Sequence, residues 1–180
     1  AVERRGRPAA HRVFGNATAV LGGDYCLARA VLLASEEGGA EVVAALGRVI
    51  TAMAEGEVLQ LERAGDLDTS VDEYFGIIDK KSASLISWCA SAPAIAQGDL
   101  QASAALQAWA AEAGSAFQIT DDVLDYQAGT GKRPGADLRE RKVTLPLVLA
   151  MDRLDGLRAQ LQERPPAEEE LPGLMERIRR

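Results

Sequence analysis

Aromatic residues make up only 4% of the 180-residue chain, which leaves few stacking platforms for single-stranded nucleic acid. Histidine occurs once, as His11. That removes histidine-rich zinc sites and leaves a Ser-His triad a single candidate, set in a Pro/Gly/Arg-rich stretch. Cys26 and Cys89 are the only cysteines and form no C-x-x-C pair, so neither a zinc ribbon nor a dithiol redox site is indicated. Both lie in apolar helical patterns and read as reduced, buried residues of a cytoplasmic protein. No apolar run reaches the roughly 18 residues of a transmembrane span, and no signal peptide is visible. Cations are outnumbered, with 20 Lys and Arg against 27 Asp and Glu. The net charge of −7 argues against the phosphate backbone of a nucleic acid as the main partner. Strand signals, Asn-Gly hairpins and internal repeats are missing too.

What is present is helix. Residues 1–12 are polar, contain Gly6 and Pro8, and read as a loop. Apolar and small residues then recur at helical spacing over residues 13–35, and the Glu36-Glu37-Gly38-Gly39 stretch supplies a stop. A second helix is predicted over 40–63. Ser70 and Glu73 form a capping-box pattern that starts a third near Val71. Pro93 is expected to kink that helix and Gly98 to end it. Asp99 is a good N-cap for a fourth, running to about Gln127. After a Gly/Lys/Arg loop at 128–143, Thr144 caps another helix with Pro146 in its first turn. The expectation is an all-α bundle of long, mostly antiparallel helices around a central cavity.

The charged residues do not look like ordinary surface charge. Gln118, Asp121, Asp122 and Asp125 have offsets of zero, three, four and seven and share one helical face. Like charges at that spacing cost about 0.2–0.5 kcal/mol per pair. The negative end of the helix dipole disfavours carboxylates by roughly 0.3–1 kcal/mol more. A bound cation would resolve both conflicts. Lys80-Lys81-Ser82 interrupts an apolar helical pattern and suits a polar cavity inside a bundle. Arg4-Arg5-Gly6 and the Lys132, Asp137, Lys142 group add cations and a further carboxylate. Arginine's planar fork can take two phosphate oxygens. Mg²⁺ typically binds through one or two carboxylates plus substrate phosphates. A magnesium-chelated diphosphate is the simplest ligand that satisfies all these groups.

These motifs, in this order, resemble the E-type (trans) polyprenyl diphosphate synthases. The stretch 117–125 (FQITDDVLD) is similar to that family's second aspartate-rich motif. Arg4-Arg5-Gly6-Arg7-Pro8 with His11 resembles the segment directly after the first one. Matches continue at 14–30 (FGNATAVLGGDYCLARA), Gly56-Glu57-Val58-Leu59-Gln60, 74–85 (YFGIIDKKSASL) and 131–149 (GKRPGADLRERKVTLPLVL).

The resemblance implies an isoprenoid synthase fold and head-to-tail elongation of an allylic diphosphate by isopentenyl diphosphate. It implies Mg²⁺ on Asp121, Asp122 and Asp125, and an allylic diphosphate held by Arg4, Lys81 and Lys132. Arg5 would reach the diphosphate of isopentenyl diphosphate. Ser82, Gln118 and the Lys81 carbonyl would lie near the cationic carbons, with Asp137 and Lys142 supporting the acidic motif. Gln60 stands where short-chain members often carry Asp, a spelling closer to medium- and long-chain members. A homodimer is implied, with the helices at 13–35 and 40–63 at its interface. The first aspartate-rich motif would precede Ala1 and the family's C-terminal helices would follow, so residues 1–180 are expected to be one partial domain. Taken alone they are expected to expose apolar surface and to be inactive. The competing expectation is a non-catalytic partner subunit of a homologous synthase; a terpene cyclase fits the Arg4-Arg5-Gly6 and Lys81-Ser82 context less well.

Overall fold

In a computed structural model, residues 3–4, 6–127 and 134–179 are described. The all-α expectation holds. Helix α1 spans Ala10–Phe14 and α2 spans Asn16–Glu62. Within α2, Gly39 departs from helical geometry at φ 73° and ψ −171°, a conformation that suits a residue without Cβ. The stop expected at Gly38-Gly39 is therefore a break between two rods. Buried residues of α2 all follow it, at Val42, Leu46 and Gly56.

The capping box forms as read. Ser70 Oγ accepts from the Glu73 N–H at 3.2 Å, Glu73 accepts from the Ser70 N–H at 2.8 Å, and α3 (Val71–Ile78) begins there. A π-helical turn, Asp79–Ala83, then joins α3 to α4 (Ser84–Ala96). Pro93 sits inside α4, and the helix ends just before Gly98, at φ 71°. Asp99 caps α5 (Leu100–Asp125) by accepting from Ala102 N–H at 2.9 Å. α4 packs along α5 on one side and along the second half of α2 on the other. The approach is close because its contact residues are small: Ser91 and Ala110 are completely buried.

The C-terminal helices are short: α6 (Ala136–Arg139), α7 (Leu145–Arg153), α8 (Leu157–Glu163) and α9 (Leu171–Arg179). They close a core of Tyr126, Leu138, Leu147, Met151, Leu157 and Leu174 with their neighbours.

Two expectations are corrected. The opening stretch is not wholly loop: β1 (Glu3–Arg4) pairs antiparallel with β2 (Arg7–Pro8) around Gly6 at φ 69°. Two residues per strand are too few for an alternating pattern to register. The cysteines are exposed, because Cys26 and Cys89 lie on helix faces that nothing in the described chain covers. The end of α5 at Asp125 agrees with the expected end at about Gln127: Tyr126 is its C-cap, Gln127 N–H still donates to the Leu124 carbonyl at 3.0 Å, and the Asp125 carbonyl accepts from Gly135 N–H at 2.8 Å as the chain turns back.

Candidate active site

The site is organised by the π turn. Gly56 on α2 and Gly114 on α5 face it from opposite sides. A Cβ on Gly56 would lie 2.9 Å from both Lys80 Cβ and Lys81 N, and one on Gly114 would lie 2.6 Å from Ala83 Cα. Two helix backbones thus close on Asp79–Ala83, and only glycine leaves room for it. Successive residues there point to different neighbours. Lys81 turns to α2, where its Nζ donates to Gln60 Oε1 at 2.5 Å and pairs with Glu57 Oε2 at 2.7 Å. Ser82 turns to α5 and donates to Gln118 Oε1 at 2.5 Å.

From Gln118 the network runs into the acidic motif. Gln118 Nε2 donates to Asp122 Oδ1 at 2.8 Å, and the Tyr74 hydroxyl of α3 donates to Asp122 Oδ2 at 2.7 Å. Asp122 is 6% exposed. Burial pushes its pKa up and the charge of Asp121 adds to this; the Tyr74 and Gln118 hydrogen bonds and the charge of Lys81 pull it down. Burial, together with the charge of Asp122, also raises the Tyr74 hydroxyl, which keeps it a donor.

Asp125 does something else. Its two carboxylate oxygens accept from the N–H groups of Ala136 (3.2 Å) and Asp137 (3.0 Å), at the start of α6. Asp137 lies half-buried beside it, and this burial with the Asp125 charge pushes its carboxyl up to about 6. Lys142 lies 3.6 Å from Asp137 and 2.6 Å from Glu140. Burial pulls the Lys142 pKa down, but these two acids outweigh it and the net shift is upward. The charge of Lys81 also reaches Glu140 and helps to lower it, behind the larger effect of Lys142.

Hydrogen bonds link Ser82, Gln118 and Asp122, the charges of Lys81 and Asp137 act on Asp122 without a direct bond, and Asp137 pairs with Lys142. Among the described residues no three His, Cys, Asp or Glu side chains converge as a metal-ligand set. Asp122 and Asp125 each have both carboxylate oxygens in hydrogen bonds within the chain, Asp122 with Gln118 and Tyr74 and Asp125 with the N–H groups of Ala136 and Asp137. Arg5 and Lys132 lie outside the described residues, and so does the side chain of Arg4. Tyr74, Glu57 and Glu140 were not anticipated as site residues. Glu57, three before Gln60 and so on the same face of α2, was the one with a visible signal.

The donor chemistry suits a hard divalent cation shared with a ligand. A buried carboxylate held above its usual pKa by desolvation and by a like charge gains from a cation beside it. One or two such oxygens leave most of the coordination to phosphate and water.

Comparison with known proteins agrees with this chemistry. The profile of the polyprenyl synthetase family matches residues 1–178. An octaprenyl diphosphate synthase of Haemophilus influenzae is 42% identical over 152 residues, 82% of this chain and 46% of the relative. An all-trans-nonaprenyl-diphosphate synthase of Rhodobacter capsulatus is 39% identical over 89% of this chain and 50% of its own length. Among solved structures, a Caulobacter crescentus polyprenyl synthase complexed with calcium and isoprenyl diphosphate superposes with a TM-score of 0.90 at 40% identity. It covers 97% of this chain and 56% of that one. A Staphylococcus aureus heptaprenyl diphosphate synthase gives 0.91 at 26% identity, over 99% and 58%. The chain thus spans about half the length of the curated relatives it matches, and it belongs to the polyprenyl synthetase family.

Proposed function

We propose that the protein of which this chain forms the described part is a trans-prenyltransferase. It would condense isopentenyl diphosphate with an allylic diphosphate to give a longer polyprenyl diphosphate. The observation that carries the reading is the π turn, which sends Lys81 towards α2 and Ser82 towards Gln118 and Asp122. In the reaction the allylic carbon–oxygen bond breaks and the diphosphate leaves with the electron pair. The isopentenyl double bond attacks the resulting cation, and a proton is then lost. When bound, Mg²⁺ would supply Lewis-acid stabilisation of the diphosphate, with Asp121, Asp122 and Asp125 as the carboxylates that would hold it.

The chain's own residues do the rest. Lys81, Arg4 and Lys132 bind the allylic diphosphate, and Glu57 with Gln60 holds the Lys81 ammonium in place beforehand. Arg5 takes the second diphosphate. The Ser82 hydroxyl, the Gln118 amide and the Lys81 carbonyl set dipoles towards the allylic cation in a water-poor site. Asp125 fixes α6, and α6 in turn carries Asp137 towards Lys142.

A homodimer belongs to the same reading, with a second copy covering the apolar first half of α2. Exposed free thiols at Cys26 and Cys89 suit a reducing compartment, the cytoplasm. Among the described residues no helix is long and apolar enough to cross a membrane. The test is to incubate the full-length protein with labelled isopentenyl diphosphate, an allylic primer and Mg²⁺. A longer allylic diphosphate is expected; no elongated product with any primer would overturn the reading.

A further inference from the structure

Tyr74 is 3% exposed and lies in α3, beside residues that pack by shape alone. Phenylalanine would fill the same volume. The hydroxyl is therefore the part of the side chain that needs a reason, because a buried O–H must find a partner. Its partner is Asp122 Oδ2, while Gln118 holds Oδ1. The two oxygens of one carboxylate are thus gripped by donors from two different helices. The Gln118 amide is itself set by Ser82, eight residues beyond Tyr74 on the continuous α3–π–α4 run. A closed chain results: Tyr74, Asp122, Gln118, Ser82, and back along the helix to Tyr74. Neither the plane nor the position of the Asp122 carboxylate can change without breaking one of these bonds.

We infer that Tyr74 is a positioning residue, which orients the Asp122 carboxylate towards the cation of a metal–diphosphate ligand. This rests on the function proposed above. Outer-shell hydrogen bonds of this kind typically change metal affinity or activity by about 10–100-fold.

The test is direct binding of Mn²⁺ in the presence of inorganic pyrophosphate, read by electron paramagnetic resonance on the full-length protein. Tyr74→Phe should weaken Mn²⁺ binding about tenfold with the melting temperature nearly unchanged. Tyr74→Met, which also lacks the hydroxyl but packs differently, should lose affinity to the same extent. In an Asp122→Asn background Tyr74→Phe should add nothing, since both changes remove one interaction. Affinity within twofold of wild type in both Tyr74 variants would overturn the inference, as would full additivity with Asp122→Asn. Normal Mn²⁺ and pyrophosphate binding in a protein that elongates no primer would overturn the functional reading and leave Tyr74 its role. Wild-type protein that binds no Mn²⁺ with pyrophosphate would overturn both.

Discussion

Two helical regions of similar apolar content meet opposite fates. In the first half of α2, Val20, Leu21 and Tyr25 are 62–67% exposed, and no residue is buried before Val42. In the C-terminal region, short helices bury Tyr126, Leu157 and Leu171 to 2% exposure or less. The long rod is the longer helix and has the weaker packing. Helix formation and burial are therefore separate outcomes: the first follows from local spacing, the second from whether another surface arrives.

The comparison can be broken by truncation. Leu157→Ala should cost about 2–5 kcal/mol, the usual range for a buried leucine. Leu21→Ala should cost less than about 0.5 kcal/mol in full-length protein diluted until it is monomeric. Urea unfolding measures both, and a loss above about 1 kcal/mol at Leu21 under those conditions would erase the contrast.

A second expectation concerns charge within the well-packed region. The folded Asp137 carboxyl titrates at about 6, above its unfolded value, so the native state holds more protons between pH 4 and 6. Stability attributable to this residue is therefore lost as pH rises through that window, on the order of 2–3 kcal/mol. The difference in urea midpoint between wild type and Asp137→Asn, measured with chelator at pH 4 and pH 7, should change in that sense. A difference that does not vary with pH would show that the carboxyl titrates normally.

A smaller effect than at Asp137 lies at Arg141, whose φ of 57° is unfavourable for any residue with a Cβ. Arg141→Gly should stabilise the fold by up to about 1 kcal/mol. A lower melting temperature would mean that the guanidinium packed against Gly65 matters more than the backbone.

Much of this was legible in the residues. The Ser70–Glu73 box, the Asp99 cap and the Gly39 interruption are local devices, and local devices can be read from spacing. Lys81 and Ser82 stood out as polar residues placed where a helix should be apolar, while the bonds from Ser82 through Gln118 to Asp122 are visible only in the fold. Other features depended on distant partners. The π turn exists between Gly56 and Gly114, neither of which reports its neighbour in sequence. Asp125 became a cap because residues 134–137 fold back onto it. Tyr74 looked like any apolar helix residue, and only the position of Asp122 gives its hydroxyl a meaning.

The widened turn at Asp79–Ala83 also limits how this stretch can change. Removing one residue would let an ordinary α-helix run straight through with α4 close to its present rotation, so the change would fall on the side chains of the turn itself. The hydroxyl now facing α5 would point elsewhere, and the ammonium would lose its seat on α2. Outside Lys81 and Ser82, side-chain identity in the turn can drift while the number of residues cannot, so insertions and deletions there should be tolerated far less than substitutions at its other positions.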